Sequence, residues 1–309
     1  MTITQGGLET DLRLAEQLEQ RLFELLIDRA YLRNWTAGGV PAFAYLGSVN
    51  GTMSDTHQLR YWAGGGADKL VSALEVGALS VVDPADASVS IAVARHGLKR
   101  SISYLAESTG AQDDLNVNKL ASDFAASYER RWNDVAAAAV AGASSTVGST
   151  GTAFSVDTFY EALYTLEEAD NDGPFFCLLG GKQLTDLQRS VRSESGVLEY
   201  QPATADMARV KGQGYAGNFA GIEVFKSSQV SDDTTDFTGG MWSAGCFGWK
   251  NAQILPTSTT KQIANVAGLM TIEKESIPGE ARTELVCNAF FGLSLLEQAR
   301  IVGIVSRSS

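Results

Sequence analysis

The sequence predicts an α+β fold, with helices and sheets built from separate stretches of chain. Four segments carry apolar residues at helical spacing, and one of them runs without Pro or Gly from Asp113 to Ala141. Beyond Pro202 the chain turns to apolar runs of strand character. Between these regions lie Gly- and Ser-rich connections, which suit extended loops.

Taken in order, Leu8, Leu12, Ala15, Leu18, Leu22, Leu25 and Leu26 fall on one stripe of a helix. That stripe needs a surface to lie on. Tyr31 to Gly51, with Gly38-Gly39 and Pro41, reads as an extended arm ending in the turn signal Asn50-Gly51. Thr56 to Val82 contains the triplet Gly64-Gly65-Gly66 and an apolar run from Leu70 that fits strand or helix equally. Val89, Ile91 and Val93 then alternate with small residues as a strand requires, and Ile102 and Tyr104 continue a second one.

Val117, Leu120, Ala121, Phe124, Tyr128, Trp132 and Val135 line one face of the long helix, which at 1.5 Å per residue spans roughly 43 Å. Gly142 and the Ser/Thr/Gly run up to Gly151 end it and mark a domain boundary. Ser155 is placed to cap a further helix with Phe159, Leu163 and Leu166 inward. A buried strand at Phe175 to Leu179 leads through Gly180-Gly181 into a helix with Leu184, Leu187 and Val191 inward. Strands are expected at Gly221 to Phe225, Met241 to Trp249, Leu269 to Glu275, Glu284 to Leu296 and Arg300 to Val305. Trp242, Phe247 and Trp249 read as one face of a single strand, packed in a core.

Composition narrows the function. Lys and Arg number 24 against 36 Asp and Glu, a formal charge of −12, which argues against a nucleic-acid grip driven by counterion release. The three cysteines Cys177, Cys246 and Cys287 are far apart and form no Cys-x-x-Cys pair, so they read as buried thiols in a reducing compartment. No run of 18 apolar residues suggests a membrane span, and the first residues have no basic and apolar leader pattern.

Catalytic patterns are sparse. His57 and His96 are the only histidines, with no metal-ligand spacing and no Gly-x-Ser-x-Gly elbow. Gly180-Gly181-Lys182-Gln183 lacks the leading Gly and the Ser/Thr of a phosphate loop. Gly212, Gly214 and Gly217 have dinucleotide-motif spacing, but a strand follows where a helix N-terminus should receive the phosphates, so a turn is expected. The neighbouring carboxylates Glu167-Glu168 and Asp232-Asp233 point apart and read as solvated. Arg95, His96, Lys99 and Arg100 form a basic cluster at the foot of the expected hairpin, open either to an acidic neighbouring subunit or to solvent. Catalytic, cofactor and metal residues are expected to be absent.

Three stretches in sequential order resemble the Hong Kong 97 family of phage major capsid proteins. Val89 to Glu107 looks like the return strand of the family's extended loop and its entry to a long spine helix, and Asp134-Val-Ala-Ala-Ala-Ala-Val-Ala-Gly142 looks like that helix's exit. Phe154 to Leu163 with Phe175 to Leu187 is similar to the helix, strand and helix of the axial domain. Gly214-Tyr-Ala-Gly-Asn-Phe-Ala-Gly-Ile-Glu-Val-Phe-Lys-Ser looks like the family's glycine, strand and serine signature.

The resemblance implies an N-terminal arm over residues 1–50, an extended loop over 51–101, a peripheral domain with the spine helix over 102–145, an axial domain over 146–262 and peripheral strands over 263–309. It implies a virion subunit that builds hexamers and pentamers of an icosahedral shell in the host bacterial cytoplasm. The shell encloses double-stranded DNA without reading its sequence. Expected partners are a portal, a separate scaffolding protein, since only some fifty residues precede the loop, and cement proteins. Leu18, Leu22, Lys69, Arg95 and Arg100 are the candidate assembly contacts. Lys69 lies within the loop, but no asparagine aligns as its cross-link partner. An encapsulin shell of the same fold and an α+β enzyme with a nucleotide at Gly212 to Gly217 are the alternatives.

Overall fold

A computed structural model describes residues 20–25, 31–49, 56–63, 85–103, 114–193, 200–212, 214–232, 236–252, 262–266 and 268–307. Residues 20–25 are helical. The first strands are β1 (Phe43–Ser48), β2 (Thr56–Ala63), β3 (Ala85–Ala92) and β4 (Ala94–Ser103). The long helix α1 (Asp114–Ala141) follows, then β5 (Thr146–Gly148), α2 (Val156–Glu168), β6 (Phe175–Leu179) and α3 (Gly181–Ser193). Next come β7 (Tyr200–Pro202), α4 (Ala205–Lys211), β8 (Tyr215–Phe219), β9 (Ile222–Lys226), β10 (Asp236–Ser243) and β11 (Phe247–Asn251). The chain closes through β12 (Gln262–Val266), β13 (Met270–Ile277), β14 (Arg282–Leu295) and β15 (Ile301–Arg307).

Two main sheets result. One has the order β5-β15-β10-β6-β9-β8-β7, with Ser231–Asp232 added beside β10; the other runs β12-β13-β14-β11-β1, with β4 also paired to β14. The strand β6 explains its own composition. Phe176 and Leu178 enter the core shared with α1, while Cys177 and Leu179 enter a second core under α2. A strand covered on both faces reads as an unbroken apolar run, which Phe-Phe-Cys-Leu-Leu is.

The helix α1 lies over the second sheet with Ala121, Phe124, Tyr128 and Trp132 buried on it. Trp132 meets Phe43 and Trp249 edge-on at 5.3 and 6.0 Å. The expected cap of α2 is present, with Ser155 accepting from the Thr158 backbone N–H at 3.3 Å. Phe159, Ala162 and Leu166 are its buried face, and Leu184 and Leu187 are buried on α3.

Two strand expectations change. Met241 to Trp249 is not one strand: β10 ends at Ser243 and β11 starts at Phe247, with Gly245 at φ 80° in the turn between. Trp242, Phe247 and Trp249 are buried as expected, but on two strands. The second difference is at β4, which is ten residues long and pairs with β14 from Arg282↔Ser103 to Phe291↔Ala94. Its alternation was obscured because its polar residues on one face are bonded to partners in the sheet. Tyr104 lies outside the described residues.

Strands β2 and β3 pair with each other in a two-stranded sheet, from Thr56↔Ala92 to Ala63↔Ala85. At the base of this hairpin the chain crosses β14 where Gly292 stands, and a Cβ there would collide with the Ala92 carbonyl oxygen. Ile91 is fully buried at this base.

Candidate functional site

The candidate contacts separate once placed in the fold. Leu18 and Lys69 lie outside the described residues. Leu22 is 0% exposed and belongs to the chain's own main core, together with Leu32, Trp35 and Phe124. The sequence expectation placed Leu22 against neighbouring subunits; within this chain its side chain is sealed against the main core.

The basic cluster is engaged within the chain. Arg95 Nε donates to Asn288 Oδ1 at 2.9 Å, and Arg100 Nε donates to Asp123 Oδ2 on α1 at 2.8 Å. Lys99 pairs with the buried Glu284, which Arg282 also reaches at 3.0 Å. The His96 ring lies 4.3 Å from that of Phe291, and its Nδ1 accepts from Arg131 Nε at 3.3 Å. Burial and then the Arg131 charge hold the His96 proton affinity below the ordinary imidazole value. The cluster therefore pins β4 to α1 and β14.

A cleft of about 380 Å³ lies between β4 and α1, with Phe124, Tyr128 and Phe291 in its walls and His96 and Arg131 beside them. Ser127 and Cys287 also line it; Arg131 engages the His96 Nδ1, and burial raises the Cys287 thiol. Among the described residues no three His, Cys, Asp or Glu side chains come together as a metal site. The cysteines are free and buried, and burial raises all three thiols, Cys287 to about 12. They are protonated at neutral pH and unsuited to nucleophilic chemistry.

The glycine motif also acquires a structural reason. Gly212 caps α4 at φ 101° and Gly217 sits inside β8 at φ 142°, so no helix follows the motif. A Cβ at Gly214 would enter the Tyr31 ring, and one at Gly212 would lie 2.5 Å from the Tyr31 Cβ. The notch is filled by a side chain of this chain where a pyrophosphate would have to approach. At Gly180-Gly181-Lys182-Gln183, the buried Gln183 accepts from Gly180 N–H at 2.9 Å and donates to Ile304 O at 3.0 Å, tying the turn to β15.

Sequence reading missed the segment that Tyr31 begins. Arg33 forms a buried ion pair with Glu129 of α1 at 2.9 Å and stands 5.5 Å over the Tyr128 ring. Trp35 packs on Phe225, Phe176 and Trp242 at 4.1, 5.0 and 5.5 Å, and its Nε1–H donates to Glu223 Oε2 at 3.0 Å. One signal was legible: Glu129 falls on the same helix face as Ala125 and Trp132, so a charge interrupts an apolar stripe.

No protein-family model matches the sequence, and no curated protein does. Solved structures do resemble the chain. The mature capsid of bacteriophage PhiM1 is 8% identical with a TM-score of 0.58, over 91% of this chain and 88% of that one. The head of Helicobacter pylori bacteriophage KHP40 is 11% identical with a TM-score of 0.57, over 92% and 91%. The holo-SrpI encapsulin complex of Synechococcus elongatus is 10% identical with a TM-score of 0.54, over 85% and 84%.

The chain thus shares its fold with these phage and encapsulin shell proteins: two sheets, a long helix between them and a hairpin paired with neither. In particular it is the Hong Kong 97-like α+β capsid fold.

Proposed function

We propose that this chain is the major capsid protein of a tailed bacteriophage, and that its copies assemble into an icosahedral shell around double-stranded DNA. The observation that carries the proposal is a capsid fold that spans about nine-tenths of this chain and of the phage head proteins it resembles. We assign the protein no enzymatic role.

In this reading residues 1–50 are an arm, 51–101 an extended loop, 102–145 and 263–309 a peripheral domain, and 146–262 an axial domain. Copies associate as hexamers and pentamers, with a portal, a separate scaffolding protein and cement proteins as partners. The subunit is assembled in the host bacterial cytoplasm and resides in the virion. No described helix is long and apolar enough to cross a membrane. Arg95, Arg100, Leu18 and Lys69 remain candidate contacts, the first two through the surface that their intramolecular partners fix.

The encapsulin likeness favours a second reading, a shell around cargo protein. Cryo-electron microscopy of the purified protein co-expressed with its neighbouring genes tests both. Closed shells with one portal vertex and packaged DNA are expected. Shells filled with a cargo enzyme would select the second reading, and a persistent monomer with saturable nucleotide binding would reject both.

A further inference from the structure

Residues 31–35 cross from the long helix to the eight-stranded sheet, and successive side chains are committed to opposite sides. Tyr31 fills the notch at Gly212 and Gly214, lies parallel to Phe225 at 6.4 Å and hydrogen-bonds Ser227 through its hydroxyl. Leu32 is fully buried. Arg33 turns towards α1, where its Nη1 approaches the Tyr128 hydroxyl at 3.5 Å and its Nη2 approaches Glu129 Oε1 at 2.9 Å. Trp35 then returns to the sheet between Phe176 and Phe225.

The Arg33–Glu129 contact is close but poorly directed. Both side chains are nearly sealed, at 7% and 4% exposure, yet neither Glu129 oxygen has a hydrogen-bond partner, so the guanidinium N–H groups point off the carboxylate. The groups that face Glu129 are Arg33 and the Tyr31 hydroxyl from the crossing segment and Tyr128 from its own helix. A buried carboxylate with one misaligned counter-charge is costly to keep ionised.

We propose that residues 31–35 are a clasp between the long helix and the eight-stranded sheet, and that the protonation state of Glu129 sets how firmly it is shut. With the clasp closed, burial outweighs Arg33 and raises the Glu129 carboxyl to about 7. Opening returns it to water and to its ordinary affinity. The closed form therefore binds the proton more tightly, so the clasp is firmest below the ordinary carboxylate range and loosens as pH rises through about 7. Arg33 stays charged throughout.

Hydrogen exchange of the full-length protein tests this, read on peptides covering residues 31–35 at pH 5.5 and 8.5 and corrected for the intrinsic rate. Protection at pH 5.5 should exceed that at 8.5 on the order of tenfold. Glu129→Gln should remove the difference by fixing the neutral form. His96→Gln should leave it in place, which separates Glu129 from the imidazole that titrates nearby in pH. Equal protection of the parent at both pH values overturns the proposal, as does a pH response lost in His96→Gln or kept in Glu129→Gln. The parent comparison stands even if a variant fails to fold.

Discussion

Leu22 and Gly214 show how far a single residue's meaning depends on its surroundings. Leu22 has the same chemistry in a core or at an interface, but here it is sealed within its own subunit. Leu22→Ala should then destabilise the isolated subunit by about 2–5 kcal/mol, read by denaturant unfolding, before any effect on shells. An unchanged unfolding midpoint would return Leu22 to the interface. Gly214 is required for space: Gly214→Val should cost about 1–3 kcal/mol by driving into Tyr31. Tyr31→Ala in the same chain should recover part of that loss in a double-mutant cycle, and strictly additive losses would show that the two do not touch. Neither partner was visible from sequence, since Tyr31 and Gly214 are far apart in the chain and only the fold sets them together. The same holds for Arg33 and Glu129, of which the sequence shows just a charge on an apolar stripe.

At the scale of elements, legibility followed local pattern. The helices α1, α2 and α3 announce themselves by stripes and caps, because one face is buried and one is wet. Strands such as β10 and β11 are covered on both faces, so their alternation vanishes and only the turn at Gly245 divides them. The hairpin β2–β3 shows the opposite case, pairing only with itself among the described residues. A lone two-stranded ribbon is marginal in water, so contacts beyond its own chain are its natural support. Replacing residues 58–90 by a short Gly-Ser linker, with the buried Ile91, Ala92 and β4 kept, should leave circular dichroism and melting of the body nearly unchanged but abolish shell closure. Normal shells from that variant would show that the hairpin is no clasp between subunits, and failure to fold would place it in the core.

At the scale of the whole molecule, the charge balance decides how such a shell would hold a genome. With 36 acidic against 24 basic side chains the subunit is repelled by DNA at long range. Many of its cations are also committed at short range: Arg100 to Asp123, Lys99 to Glu284, Lys211 to Glu223 and Arg307 to Asp186. A grip on phosphates requires cations that displace counterions, and each such contact steepens the fall of affinity with salt. Retention should therefore come from closure of the shell and not from adhesion. Purified subunits mixed with random duplex DNA at roughly 150 mM salt should give no retarded band at micromolar concentration. Intact particles should keep their DNA unchanged between roughly 50 and 200 mM salt, whereas particles opened by a chaotrope should lose it at both. Tight binding by free subunits, or DNA held by opened shells at low salt and shed at high salt, would show that a basic inner surface does the holding and that the formal charge misleads.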